Sequence, residues 1–181
     1  MSAQPDAFDL LGLAPTLDLD LKTIEQRYRD LQKQLHPDKF TQASAQERRA
    51  SLSRAVSVND AYRVLRDDLA RAELLYVRLG GRVREEKQPA DPELLMEVMD
   101  LREELASTKR AGAEVARAKL TADVREKNQH AHAALREAFS KLEAGQDALE
   151  DAARALSRLR YYRRFLDEVA SIEAEQEDAL G

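Results

Sequence analysis

LQKQLHPDKF, residues 31–40, ends one helical pattern and delays the next. Upstream of it, Leu21, Ile24, Tyr28, Leu31 and Leu35 recur at spacings of three, four, three and four, which predicts one buried stripe of a helix of about four turns. Asp20 stands where an N-cap carboxylate can accept the free N–H groups of that helix's first turn. The proline ring of Pro37 disfavours helical geometry at His36, so the helix stops there. Downstream, Ser44 and Glu47 form a capping-box pattern that opens a second helix. Its core face is expected at Leu52, Val56, Asn59, Tyr62 and Leu65. The stretch is therefore the loop of a helical hairpin.

The same reading extends to both ends of the chain. Phe8, Leu10, Leu11 and Leu13, closed by Gly12 and Pro15, predict a short first helix and a turn. After the hairpin, Ala70 to Leu79 predicts another short helix, ended by Gly80-Gly81. GGRVREEKQPADP, residues 80–92, is the one clear shift in composition and marks a boundary. Beyond it three helices are expected. The first is capped by Asp91, has Pro92 in its first turn and buries Leu94, Val98, Leu101 and Leu105. The second, about Ala113 to Glu143, buries Leu120, Val124, Ala131, Leu135, Phe139 and Leu142 and is broken by Gly145. The third buries Leu149, Ala153, Leu156, Leu159, Leu166, Val169 and Ile172. The fold class expected is all-α, with an N-terminal helical hairpin over 1–79, a linker over 80–91 and a C-terminal three-helix bundle over 92–181.

Composition removes several function classes. The 181 residues carry 35% charged and only 5% aromatic side chains, so any core rests on aliphatic residues. A net charge of −5 argues against general nucleic-acid binding, which leaves a basic footprint. With no cysteine, disulfides, thiolate catalysis and Cys-ligated metals are excluded. No apolar run approaches the roughly 20 residues of a membrane span, and the N-terminus resembles neither a signal nor a transit peptide. A cytoplasmic, bacterial protein is the expectation, with no membrane or nucleic-acid partner.

His36 and Asp38 invite a catalytic reading, but no nucleophile elbow or Gly-rich phosphate loop accompanies them. In an extended segment, side chains two apart point to opposite faces, so the pair need not meet. His130 and His132 lie about 200° apart on a helix and cannot share one metal ion. Neither a catalytic residue, a metal nor a cofactor is expected. Two surfaces stand out instead. Lys22, Gln26, Arg29 and Lys33 fall within about 60° of arc on the exposed side of the helix before the loop, with Arg27 nearer the side. In LLMEVMDLREEL, residues 94–105, the core stripe leaves Leu95, Met96 and Met99 over, beside Asp100 and Glu103. Adaptable methionine surfaces recur at partner grooves, and a wide core face is the structural alternative.

Taken together, these residues resemble those of a J-domain protein. A basic helix, His36-Pro37-Asp38-Lys39-Phe40, then a helix bearing Val58-Asn59-Asp60-Ala61-Tyr62-Arg63-Val64-Leu65 carry the likeness. FDLLGL at 8–13, RAELL at 71–75 and LREEL at 101–105 resemble the HscB (Jac-type) iron–sulfur co-chaperone family over nearly the whole chain. The resemblance implies an adaptor rather than an enzyme. Its J-domain would dock a specialised, HscA-like Hsp70 and stimulate ATP hydrolysis there, through His36, Pro37, Asp38, Arg29 and Lys33. Its bundle would carry the IscU-like cluster scaffold through Leu95, Met96, Met99, Asp100, Glu103 and Tyr161. Against the family's pattern this chain has Met99 for Leu, Asp100 for Glu and Tyr161 for Phe, and Ser107 at a further acidic position. A general J-protein that presents unfolded clients to a housekeeping Hsp70 stays open at this point, as does a structural helical protein with a chance His-Pro-Asp.

Overall fold

The structure is a computed structural model that describes residues 5–83 and 91–180. Among them are seven α-helices: α1 Ala7–Leu11, α2 Leu21–Gln34, α3 Ala45–Arg66, α4 Asp68–Arg78, α5 Pro92–Ala111, α6 Glu114–Glu143 and α7 Leu149–Leu180. A single 3-10 turn, Pro37–Phe40, lies between α2 and α3. The chain gathers into two compact units, Met1–Leu75 and Tyr76–Gly181. Of the expected linker 80–91, residues 84–90 lie outside the described residues.

The first unit is an α2–α3 hairpin with α1 laid against it. Short as it is, α1 is closed at both ends. Asp6 and Asp9 form a reciprocal capping box, and Gly12 ends the helix in the left-handed region, φ 62°. Arg27, which the sequence placed at the side of the basic face, is spent here. Its guanidinium donates to the carbonyls of Leu11 (3.3 Å) and Gly12 (3.4 Å). A Cβ on Gly12 would stand 2.7 Å from Arg27 Nη2. Asp20 caps α2 through the Thr23 N–H at 3.1 Å, and the Ser44–Glu47 capping box opens α3, both as expected.

Phe8, Leu11, Ile24, Val58 and Leu65 are almost wholly buried and make this unit's core. The hairpin is registered by a polar cluster as well as by apolar contact. Tyr28 and Tyr62 stack at 4.1 Å, Tyr28 Oη donates to Asn59 Oδ1 at 2.9 Å, and Gln32 Nε2 donates to Tyr28 Oη at 2.8 Å. Arg71, only 7% exposed, donates to the carbonyls of Leu17 and Leu65 and ties the 13–20 segment to the end of α3.

Two core expectations are corrected. Leu21, the first residue of α2, is 56% exposed. On α3, Leu52 and Val56 are 66% and 52% exposed, while Ser51, Val58, Ala61 and Leu65 are buried. The packed face is turned by about one residue from the apolar one. Small side chains at 51 and 61 let the helices approach closely, and the Ser51 hydroxyl donates to the Leu35 carbonyl at 3.4 Å.

The second unit is the three-helix bundle. Leu94, Val98, Leu101 and Leu105 of α5 are buried as the stripe predicts. α6 and α7 pack along an alanine seam, with Ala131, Ala138, Ala148, Ala152 and Ala155 all buried. Leu142, Leu149, Ala153 and Leu166 are only half-buried, and Tyr162 and Phe165 supply aromatic bulk that the stripe reading passed over. Gly81 closes α4 by donating to the Tyr76 carbonyl at 2.9 Å. A Cβ there would fall within 2.5 Å of the Tyr76 ring, so a larger residue requires that ring to move.

Glu97 joins all three helices of the bundle. Its Oε1 accepts from Lys127 Nζ of α6 at 2.6 Å and from Tyr162 Oη of α7 at 3.0 Å. Burial, with the Glu97 charge beside it, holds the Tyr162 phenol above its ordinary pKa. Removing the carboxylate leaves the Tyr162 hydroxyl buried with no acceptor, a loss of about 1–3 kcal/mol. Glu97→Ala is therefore expected to lower the midpoint of urea unfolding, and an unshifted midpoint would show that the triad contributes nothing.

Candidate functional site

Two surfaces carry the candidate residues, one in each unit. In the first, the loop after α2 is folded back by the 3-10 turn. His36 is its N-cap, and Nδ1 accepts the Asp38 N–H at 3.3 Å. The same nitrogen lies 3.4 Å from Asp38 Oδ2. The expectation that these side chains need not meet is corrected here, because a 3-10 turn replaces the extended path. The Asp38 N–H directed at Nδ1 suits the tautomer with its proton on Nε2, in which the ring presents a donor at its outer edge. Asp38 is 85% exposed and its carboxylate is open to a cationic partner. Pro37 is the first residue of the turn and pre-sets its φ.

Beside the loop is a groove of about 330 Å³, walled chiefly by Leu35, His36, Pro37, Phe40, Leu52 and Ala55. Leu52, expected in the core, is one of its walls. Sequence reasoning missed this groove; the signal was a leucine on the 3-10 side of α3, one residue off the stripe of small side chains. On α2, Arg29 and Lys33 are exposed as expected. Arg29 is paired within its helix to Glu25 at 2.6 Å, whereas Lys33 forms no ion pair among the described residues.

In the second unit, Met96 and Met99 are 66% and 62% exposed, Leu95 is half-buried, and Asp100 and Glu103 are exposed. These five share the outer side of α5, away from Leu94, Val98, Leu101 and Leu105. The methionines have no place in the core. Ser107 lies exposed further along α5. Tyr161 differs from the rest: it is 7% exposed, packed with Leu94 and Val98, and its buried hydroxyl has no hydrogen-bond partner. The guanidinium of Arg164 covers its ring at 5.5 Å. Tyr161 thus reaches the α5 surface from beneath rather than standing on it.

Among the described residues no cluster of His, Asp and Glu is placed to hold a metal ion, and no helix is long and apolar enough to cross a membrane.

The DnaJ domain matches residues 6–74, and the HSCB C-terminal oligomerisation domain matches residues 90–170. The co-chaperone protein HscB homolog of Shewanella pealeana is 34% identical over 171 residues, 92% of this chain and 95% of its own length. The chain belongs to the HscB co-chaperone family. Its all-α architecture, a J-domain followed by the HscB C-terminal domain, is that of the family's solved structures. Chaperone HscB from Vibrio cholerae superposes with a TM-score of 0.79 at 33% identity, covering 94% of this chain and 98% of that one. Human co-chaperone HscB gives 0.81 at 27% identity, over 96% and 84%. The HscB homolog of Vibrio atlanticus is 46% identical, but over 99 residues, 54% of this chain and 58% of that relative's length.

Proposed function

We propose that this protein is an adaptor that brings an IscU-like iron–sulfur scaffold to an HscA-like Hsp70 and stimulates the Hsp70's ATP hydrolysis, in the service of iron–sulfur protein maturation. Docking of the Hsp70 is assigned to residues 1–79 and carriage of the scaffold to 92–181, joined by 80–91. The observation that carries the reading is the presence of two exposed surfaces that take no part in either core: the His36–Pro37–Asp38 turn and the Met96–Met99 face.

The proposed division of labour follows from the chemistry. Asp38 offers a charge to a cation on the Hsp70, and His36 a donor tip. The 3-10 turn holds both before contact, which lowers the entropy lost on docking. The apolar groove at Leu35, Phe40 and Leu52 gives the loop a seat beside those polar contacts. The chain lowers no chemical barrier with its own groups; it selects the hydrolytic state of the Hsp70 by binding it. The test is Hsp70 ATPase turnover with and without this protein and the scaffold. Stimulation that rises further when the scaffold is added supports the reading, and no response to this protein overturns it.

Lys33 and Arg29 are assigned to steering. Arg29→Glu with Lys33→Glu is expected to slow association with the Hsp70 about tenfold at low salt and to flatten its salt dependence, since rim charges act mainly on the on-rate. Stopped-flow association measures this, and an unchanged rate removes α2 from the encounter.

A further inference from the structure

The scaffold face of α5 is bordered by charges of opposite sign. Taken around the helix at about 100° per residue, Leu95, Met96 and Met99 lie between Asp100 and Glu104 on one flank and Arg102 on the other. The acidic flank turns toward α6, where Glu97 meets Lys127. The Arg102 flank turns toward α7, where Arg102, Tyr161 and Arg164 line one groove with Val98, Phe165 and Glu168. That groove encloses about 20 Å³, room for one small polar group. Three polar groups around it have no hydrogen-bond or ion-pair partner among the described residues. Neither Arg102 nor Arg164 forms an ion pair among the described residues, and the Tyr161 hydroxyl is buried with no hydrogen-bond partner. Glu168 is the groove's own carboxylate among the described residues, and it is paired with neither guanidinium, so two cations face one anion.

We infer that the α5–α7 groove receives a carboxylate side chain of the bound scaffold between Arg102 and Arg164. The inference rests on the scaffold-carrying function proposed above and adds a polarity to it. A carboxylate enters on the α7 side, the apolar contact lies over Met96 and Met99, and a basic group of the scaffold faces Asp100 and Glu104. Guanidinium groups suit this role because their planar forks match a carboxylate with two parallel hydrogen bonds. Glu168 repels the incoming carboxylate and so tempers the affinity.

The experiment is calorimetric titration of the full chain with a recombinant IscU-like scaffold, at low and high salt, with thermal unfolding of each variant. Arg102→Gln with Arg164→Gln is expected to weaken binding about tenfold, the size of one lost charged contact, and to flatten the salt dependence. Glu168→Gln is expected to tighten it. Both arginines are exposed, so folding is expected to persist. Should the glutamine pair unfold, Arg102→Lys with Arg164→Lys serves instead, and is expected to weaken binding while keeping the salt dependence. Folded arginine variants that bind with wild-type affinity overturn the groove, and so does weaker binding by Glu168→Gln. If Met96→Ala with Met99→Ala still loses binding in that case, the scaffold function stands without it. A wild-type chain that fails to bind the scaffold overturns both.

Discussion

His36→Gln is expected to leave the protein folded and to bring stimulation of the Hsp70 ATPase down to the basal rate. The His36 side chain is 59% exposed and Asp38 85%. Neither touches the Phe8–Ile24–Leu65 core. What the imidazole does locally is cap a four-residue 3-10 turn, and losing such a cap costs about 1 kcal/mol. That is too little to unfold a hairpin held by the core and by the Tyr28–Asn59–Gln32 cluster. The functional loss is larger because two properties go together. The ring fixes Asp38 through its backbone N–H, and its own outer nitrogen is a rigid donor. Glutamine can supply an amide but not from a fixed plane. Circular dichroism melting and steady-state ATP turnover separate the two effects. Wild-type stimulation by a folded variant would remove the turn from the docking surface and leave the groove at Leu52 to account for it.

How far the sequence led to these surfaces depended on what each residue was asked to reveal. Periodicity identified α5 correctly, because Leu94, Val98, Leu101 and Leu105 are large, apolar and buried, and the methionines left over are surface. It misread α3, because there the contact is made by Ser51 and Ala61, residues with almost no hydrophobic signal, while Leu52 and Val56 advertise a core they do not join. The capping residues Asp20, Ser44, Glu47 and Asp91 were legible because a cap is a local contact. Arg27 and Arg71 were not, since each is satisfied by carbonyls far along the chain. Much the same holds for the site. The His-Pro-Asp triplet was visible, its folded-back geometry was not. Tyr161 was placed at the scaffold surface, and nothing in the sequence distinguished a residue standing on that surface from one beneath it. Arg102 and Arg164 drew no reading from the sequence, and only their convergence on one groove sets them apart.

Met96→Ala together with Met99→Ala is expected to weaken scaffold binding about thirtyfold and to leave basal Hsp70 stimulation unchanged. Apolar anchors at the centre of an interface cost about 2 kcal/mol or more on truncation, which corresponds to that factor. The two side chains are 66% and 62% exposed, so alanine opens no cavity. Alanine is also the best helix former, so α5 loses nothing in propensity. Were the methionines core residues, each truncation would instead cost about 2–5 kcal/mol and melt the bundle. Basal stimulation is the internal control, because the J-domain surfaces lie in the other unit and their side chains are untouched. Titration against the scaffold, thermal unfolding and ATP turnover without scaffold are therefore read on the same sample. Lost binding with an unshifted melt and intact basal stimulation is the expected outcome. A stable variant that binds normally would move the scaffold site off α5. The charged flanks of α5 would then need another ligand, since Asp100 and Glu104 on one side and Arg102 on the other make sense as a docking pattern only with an apolar contact between them.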